Sequence, residues 1–101
     1  MSTLRLFVYG TLRRGRAHHA ELAGATYEGS LGTEPRYAVI EHAGYPALVA
    51  GRTAVDGEVY AVTTEHLARL DAFEGSGYVR APVLLADGST ALAYFSTARA
   101  R

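Results

Sequence analysis

The chain has 101 residues, enough for one domain with one hydrophobic core, so we expect a single domain over residues 1–101. Ten basic and ten acidic residues cancel, and this balance argues against nucleic acid as a partner. The lack of cysteine excludes thiol nucleophiles, disulfides and thiolate metal sites. Met1 leads into the first strand without a secretory leader or a long apolar span, so we expect a cytoplasmic protein that makes no membrane contact. The oligomeric state is left open.

The first segment, residues 4–15, is an apolar run that stops at a glycine and continues as a basic loop. The run is typical of a central strand buried on both faces. Gly10 can take backbone angles closed to other residues, so we expect a sharp turn that directs the N–H groups of Gly10, Thr11 and Leu12 toward one point. Such donors suit an anion or a developing oxyanion, and the alternative is a plain turn after a buried strand.

Two other interpretations of this loop fail. Gly10 and Gly15 have the spacing of a phosphate-binding loop, but Arg16 and Ala17 stand where that motif needs Lys and Ser or Thr. The three arginines of the loop could form a nucleic-acid-binding patch, but no second basic run in the sequence supports it. A solvated face is the better interpretation.

The next elements are short. Residues 17–23 predict a short helix ended by Gly24. Glycines and prolines then separate three strand candidates, which indicate a meander. These candidates are residues 27–33, 37–41 and 47–50.

The second half alternates clear turn and helix signals. Asp56-Gly57 predicts a hairpin turn into a strand over residues 58–62. A helix capped by Thr63 or Thr64 follows and ends at Gly75.

The chain closes with two more predicted strands. They cover residues 78–85 and 90–95 and are joined by a second hairpin signal, Asp87-Gly88. Pro82 cannot donate to a strand ladder, so its strand lies at an edge or carries a bulge. Many short strands with two inserted helices predict an α+β domain with a strongly curved or closed sheet.

One carboxylate lies on the apolar side of the late helix. At roughly 100° per residue, Glu74 deviates by only about 40° from the centre of the face formed by Leu67, Leu70 and Phe73. Apolar surroundings and the helix C-terminus both raise the proton affinity of a carboxylate, as a general base near neutral pH requires. The alternative is a frayed helix end whose glutamate reaches water.

The serines and histidines of the sequence argue against covalent catalysis and against a metal site. No serine lies in a G-x-S-x-G elbow, so covalent catalysis is poorly supported. His18 and His19 are adjacent, hence on different helix faces, and His42 and His66 lack partners at metal-ligand spacing. We therefore predict no metal site and interpret the histidines as surface or capping residues.

Five segments occur in the order seen in the gamma-glutamylcyclotransferase-like family, which the chain resembles along nearly its whole length. They are YGTLRRG (9–15), HHAELAGA (18–25), GYPALV (44–49), GEVYAV (57–62) and LDAFEGSGYVR (70–80). The resemblance implies a small mixed β-barrel with two short flanking helices. Ala17 departs from the pattern, in which asparagine often precedes the histidines.

The resemblance also implies residue roles. The loop that binds the glutamyl part of the substrate corresponds to Tyr9, Gly10, Thr11 and Leu12, and the catalytic glutamate corresponds to Glu74. Aromatic wall residues correspond to Tyr78 and, by position, Tyr94. Tyr45 is a candidate for the side of the pocket that holds the leaving group.

The implied function is cyclisation of a gamma-glutamyl group to 5-oxoproline with release of the attached amine, without a cofactor. The YGTL segment resembles the branch acting on gamma-glutamyl amines more than the branch acting on gamma-glutamyl amino acids. The alternative is a non-catalytic module that binds a small ligand on the same fold.

Overall fold

The computed structural model describes residues 3–42 and 44–97, which form one mixed seven-stranded sheet with one α-helix and one 3₁₀ turn. The strands are β1 Leu4–Val8, β2 Thr26–Ser30, β3 Tyr37–His42, β4 Tyr45–Ala50, β5 Glu58–Val62, β6 Tyr78–Leu84 and β7 Thr90–Ser96. The helix α1 is Thr64–Glu74 and the 3₁₀ turn is His19–Leu22. The predicted α+β class is confirmed, but the sheet is open rather than a closed barrel.

The strand order is β2-β5-β1-β7-β4-β3, with β6 paired to β7. Strand β1 is antiparallel to β5 and parallel to β7. Its side chains alternate between two hydrophobic clusters: Leu6 and Val8 pack in the cluster that contains Leu67 and Leu70 of α1, and Phe7 packs in the other. The prediction of a central strand buried on both faces is therefore confirmed.

Helix α1 begins and ends where its capping residues predict. The Thr63 side chain accepts a hydrogen bond from the His66 N–H at 3.1 Å. The N–H of Gly75, at a φ of 76°, donates to the Asp71 carbonyl at 3.0 Å. No helix within the described residues is long and apolar enough to cross a membrane.

The late hairpin is also confirmed. Strands β6 and β7 are antiparallel neighbours, and Gly88 in the turn between them donates to the Leu85 carbonyl at 3.0 Å. Pro82 lies in β6, which pairs with β7 alone among the described strands, so the proline is on an edge strand.

Two strand pairings differ from the prediction. Strands β3 and β4 form a hairpin, but β2 pairs with β5, so residues 27–50 are not a meander. The predicted hairpin at Asp56-Gly57 is also wrong, because β4 and β5 are not paired. The chain instead crosses to the far side of the sheet, where the Leu31 N–H donates to the Gly57 carbonyl at 3.0 Å. Burial of β5 between β1 and β2 overrides the local turn signal.

The predicted helix over residues 17–23 is reduced to the four-residue 3₁₀ turn. A segment this short cannot offset the cost of nucleating an α-helix. Its backbone bonds to the preceding loop instead, since the His18 N–H donates to the Thr11 carbonyl at 3.0 Å.

Candidate functional site

A cavity of about 250 Å³ opens between the C-terminal end of β1, the start of β4 and the end of α1. All eight residues predicted from the sequence line it: Tyr9, Gly10, Thr11, Leu12, Tyr45, Glu74, Tyr78 and Tyr94. The sheet and helix thus bring together residues as far apart in sequence as positions 9 and 94. The roles assigned to them stay predictions.

The turn after β1 carries free backbone donors. The Arg13 N–H donates to the Gly10 carbonyl at 3.1 Å and closes the turn. In a turn of this kind the N–H groups of the central residues have no partner within the turn. Among the described residues, no acceptor is paired with the N–H groups of Gly10, Thr11 or Leu12. We call these three residues the donor turn.

The expected reason for glycine in this turn is wrong. Gly10 is not among the glycines with positive φ, so the donor turn needs no backbone angle reserved for glycine. A Cβ at position 10 would lie 3.6 Å from Cγ of Pro46, an ordinary contact distance. Glycine here leaves room beside Pro46 and inside the cavity rather than permitting a strained backbone.

Arg13 adds positive charge next to the donor turn. Its Nε–H donates to the Gly10 carbonyl at 3.2 Å, so the guanidinium is held against the backbone of the turn. The sequence alone indicated only a solvated arginine. Arg13 lines a second cavity, together with Asp56 and Glu58, and does not line the candidate site.

Glu74 is the last residue of α1 and is half-buried in the cavity wall. Burial raises the pKa of its carboxyl from 4.5 to about 7. Phe73, the preceding residue, was expected on the buried face but is 39% exposed and lines the cavity. The end of α1 therefore presents an acid–base group together with an aromatic ring.

The hydroxyl groups of Tyr9 and Tyr94 make hydrogen bonds within the protein. The Tyr9 hydroxyl donates to the Tyr94 carbonyl at 2.6 Å and accepts from the Leu48 N–H at 2.9 Å, which ties β1, β7 and β4 together. The Tyr94 hydroxyl donates to Asp71 Oδ1 at 2.6 Å. Burial raises the pKa of both phenols far above neutrality, so both are neutral walls of the cavity.

The opposite wall is more open. The Tyr78 hydroxyl donates to the Pro46 carbonyl at 3.3 Å, and burial raises the pKa of the Tyr78 phenol. Tyr45 is 51% exposed, so its ring forms part of the mouth. Arg80 lies nearby in sequence, but its Nη1 is 3.6 Å from Oδ2 of Asp71, the same carboxylate that holds Tyr94.

Sequence reasoning missed His18 as a cavity residue. Its ring lines the cavity, with Nδ1 2.9 Å from Oγ1 of Thr11, seven positions earlier. No local pattern marks this pair, because a loop rather than a helix or strand sets the distance. Among the side chains that the structure describes, no group of three His, Asp or Glu residues could hold a metal ion.

Comparison with known proteins decides the family. The model of the family described as "Gamma-glutamyl cyclotransferase, AIG2-like" matches residues 6–100. The chain belongs to this family. A relative from Vibrio cholerae named "Putative gamma-glutamylcyclotransferase" is 45% identical over 69 residues, which cover 68% of this chain and 60% of the relative.

Two further similarities agree with this family assignment. The "Gamma-L-glutamyl-butirosin B gamma-glutamyl cyclotransferase" of Niallia circulans is 39% identical over 68% of this chain and 44% of its own length. The crystal structure of an AIG2-like protein from Mus musculus is 25% identical, with a TM-score of 0.81 over 99% of this chain and 81% of the mouse chain. The matched part of the chain spans about half of the length of these two curated relatives.

The buried acid of this gamma-glutamyl cyclotransferase family member has a consequence for stability. Between pH 4.5 and pH 7 the unfolded chain loses the Glu74 proton while the folded chain keeps it. The free energy of unfolding therefore falls as pH rises through this window. Glu74→Gln, which is neutral and similar in shape, should be about 2 kcal/mol more stable than wild type at pH 8 and equal to it near pH 4. The expected stability difference is smaller than a pKa shift of this size would produce in a fully buried carboxyl, because water reaches the half-buried side chain of Glu74.

Urea denaturation of both proteins at pH 4 and pH 8 measures the difference. Glu65→Gln is the matched control, because Glu65 is exposed in the first turn of the same helix. A stability difference between Glu74→Gln and wild type that is the same at both pH values would contradict a raised pKa.

Proposed function

We propose that this protein is a gamma-glutamylcyclotransferase that converts a gamma-glutamyl group to 5-oxoproline and releases the attached amine. One observation carries the proposal: the Glu74 carboxyl, whose pKa is about 7, shares a cavity with Gly10, Thr11 and Leu12, whose N–H groups have no paired acceptor among the described residues. A proton acceptor and a cluster of donors in one small cavity match the needs of an intramolecular acyl transfer. Family membership and the names of both curated relatives support the same reaction type.

Glu74 acts as the base and then as the acid. Its carboxylate takes a proton from the substrate α-ammonium, and the freed amine attacks the γ-carbonyl carbon to close a five-membered ring. Glu74 returns the proton to the leaving nitrogen, and the C–N bond to the amine breaks. The second surplus proton of the attacking nitrogen leaves with the released amine, which is protonated at neutral pH. A carboxyl with a pKa near the working pH can both accept and return a proton efficiently.

The donor turn binds the negative charge of the substrate. Its N–H groups can bind either the glutamyl α-carboxylate or the oxyanion that forms on the γ-carbonyl. Loss of one oxyanion donor typically costs about 3 kcal/mol. Because nucleophile and electrophile belong to one molecule, a cavity that folds the glutamyl chain into its attack geometry supplies much of the rate.

The mouth of the cavity favours an amine as the leaving group. Among the residues that the structure describes, no Lys or Arg lines the cavity. Arg80, which follows Tyr78 on β6, is paired with Asp71. The exposed rings of Tyr45 and Phe73 instead present apolar surface at the mouth. A leaving group with its own carboxylate would lose its hydration there without gaining a positive partner.

The test is a 5-oxoproline release assay with matched substrates, L-γ-glutamyl-n-butylamine and L-γ-glutamyl-norvaline, which differ by a carboxylate on the leaving group. We expect kcat/KM to be at least tenfold higher for the butylamine compound, about 1.4 kcal/mol in transition-state binding. A preference for the amino-acid compound would overturn the proposed leaving group but not the reaction. Binding of both compounds without 5-oxoproline would instead support a non-catalytic binding module.

A further inference from the structure

Two adjacent histidines bond to two adjacent residues of the donor turn. His18 Nδ1 lies 2.9 Å from Oγ1 of Thr11, and His19 Nδ1 lies 2.9 Å from the Leu12 carbonyl oxygen. The His18 N–H also donates to the Thr11 carbonyl at 3.0 Å, so residue 18 meets residue 11 through both backbone and side chain. The loop is thus folded back on the donor turn at consecutive positions.

We infer that His18 is a positioning residue that donates Nδ1–H to the Thr11 hydroxyl oxygen and so leaves the hydroxyl hydrogen free to donate into the cavity. The Thr11 hydroxyl then joins the N–H groups of the donor turn in binding the α-carboxylate of the glutamyl group. This inference rests on the proposed function, because it assumes that the anion at the turn belongs to a gamma-glutamyl substrate.

The direction of the His18 hydrogen bond follows from the charge of the ligand. A hydroxyl has one hydrogen and can either donate to Nδ1 or accept from it. If Thr11 donated to His18, only its lone pairs would face the anion, and the contact would be repulsive. If Thr11 accepts from His18, its hydrogen completes a cluster of donors around the carboxylate. His19 must also carry a proton on Nδ1, because its partner is a carbonyl that only accepts.

The surroundings of His18 hold its ring in place. The ring packs edge-on against Phe73 with a centroid distance of 5.3 Å and is tilted against Tyr45 at 6.1 Å. Both aromatic residues line the same cavity. A half-buried imidazole held between two rings keeps Nδ1 aimed at Thr11, and such a support fixes the geometry of the group that touches the ligand.

Calorimetric titration with L-γ-glutamyl-n-butylamine tests the inference in a Glu74→Gln parent, which we expect to bind the compound but to convert it about 100-fold or more slowly than wild type. His18→Phe keeps an aromatic ring and removes the nitrogen, whereas His18→Asn keeps an amide N–H near the position of Nδ1. We expect His18→Phe and Thr11→Val each to weaken binding by about tenfold, the range of one hydrogen bond to a charged group. The double variant should bind no more weakly than the worse single variant, and His18→Asn should stay within about threefold of the parent.

Arg16→Gln is the control, because Arg16 is exposed in the same loop and does not line the cavity. Its affinity should equal that of the parent. Additive losses in the double variant, no rescue by His18→Asn, or no binding to the parent would each overturn the inference.

Nitrogen-15 NMR of histidine-labelled protein gives a test without ligand. We expect the proton of His18 on Nδ1, and a proton found only on Nε2 would overturn the inference. This readout separates the two proposals: a His18 Nδ1–H tautomer with coupled binding losses, but no 5-oxoproline from any substrate, would remove the proposed reaction and leave the positioning role standing.

Discussion

Glu74→Gln should lower kcat for 5-oxoproline formation by about 100-fold or more while leaving substrate affinity within a fewfold of wild type. Glutamine keeps the shape of the side chain but cannot accept the α-ammonium proton or return it to the leaving nitrogen, and general acid–base catalysis typically contributes 10²- to 10⁴-fold. In steady-state kinetics with L-γ-glutamyl-n-butylamine, the variant should lose kcat and kcat/KM together.

The pH profile sharpens this prediction. In the wild type, kcat/KM should fall on the acidic side of about pH 7, because burial raises the Glu74 pKa to that value and only the carboxylate is a base. The residual activity of Glu74→Gln should lack this acidic limb. Glu65→Gln, on the exposed first turn of α1, should keep wild-type kinetics. Near-normal turnover of Glu74→Gln at pH 8, where we expect it to be more stable than wild type, would assign the proton transfers to another group.

Gly57→Ala should lower the free energy of unfolding by about 3 kcal/mol, the upper part of the range for overpacking a core. A Cβ at position 57 would overlap the Val8 carbonyl oxygen and come within 2.5 Å of ring carbons of Phe7. Neither can move cheaply, because the first is backbone of the central strand and the second is 1% exposed in the core. The glycine therefore serves the close approach of two chain segments rather than a hairpin turn.

Urea denaturation of Gly57→Ala measures the loss. Gly32→Ala is the matched control, since a Cβ there would meet its nearest atoms at 3.5 Å and the backbone angle is an ordinary one. We expect its stability to change by less than about 1 kcal/mol. Because Phe7 and Val8 also line the cavity, Gly57→Ala should weaken ligand binding even in the folded fraction. Equal stability of the two alanine variants would show that β1 yields to the added methyl group.

Local features of the sequence were sufficient to predict a helix or hairpin when one segment contained all of its capping or turn residues. Helix α1 has a capping threonine, buried leucines at helical spacing and a terminal glycine, and the structure begins and ends it there. The late hairpin has its turn residues between two extended runs. Pro82 predicted that β6 lies at an edge or carries a bulge, and β6 lies at an edge. Short-range propensities and caps act within a few residues, so they can be read without knowing the rest of the fold.

Part of the candidate site was also accessible from the sequence. The phase of Glu74 on α1 predicted its inward position, and the apolar run before Gly10 predicted a buried strand that ends at a turn. The resemblance to a known family supplied other cavity residues, such as Tyr78 and Tyr94, and Tyr45 was a candidate for the side that holds the leaving group. Their meeting in one cavity follows from the fold, but their roles in binding and catalysis stay predictions.

The sequence by itself determined α1, the buried β1, the late hairpin and the inward phase of Glu74. Only the tertiary structure decided that β2 pairs with β5, that Asp56-Gly57 belongs to a crossover, and that His18 meets Thr11. Strand partners and loop contacts are chosen by burial between segments far apart in the chain, and no local propensity encodes that competition. The raised pKa of Glu74 has the same origin, because desolvation depends on what the folded chain places around the carboxyl.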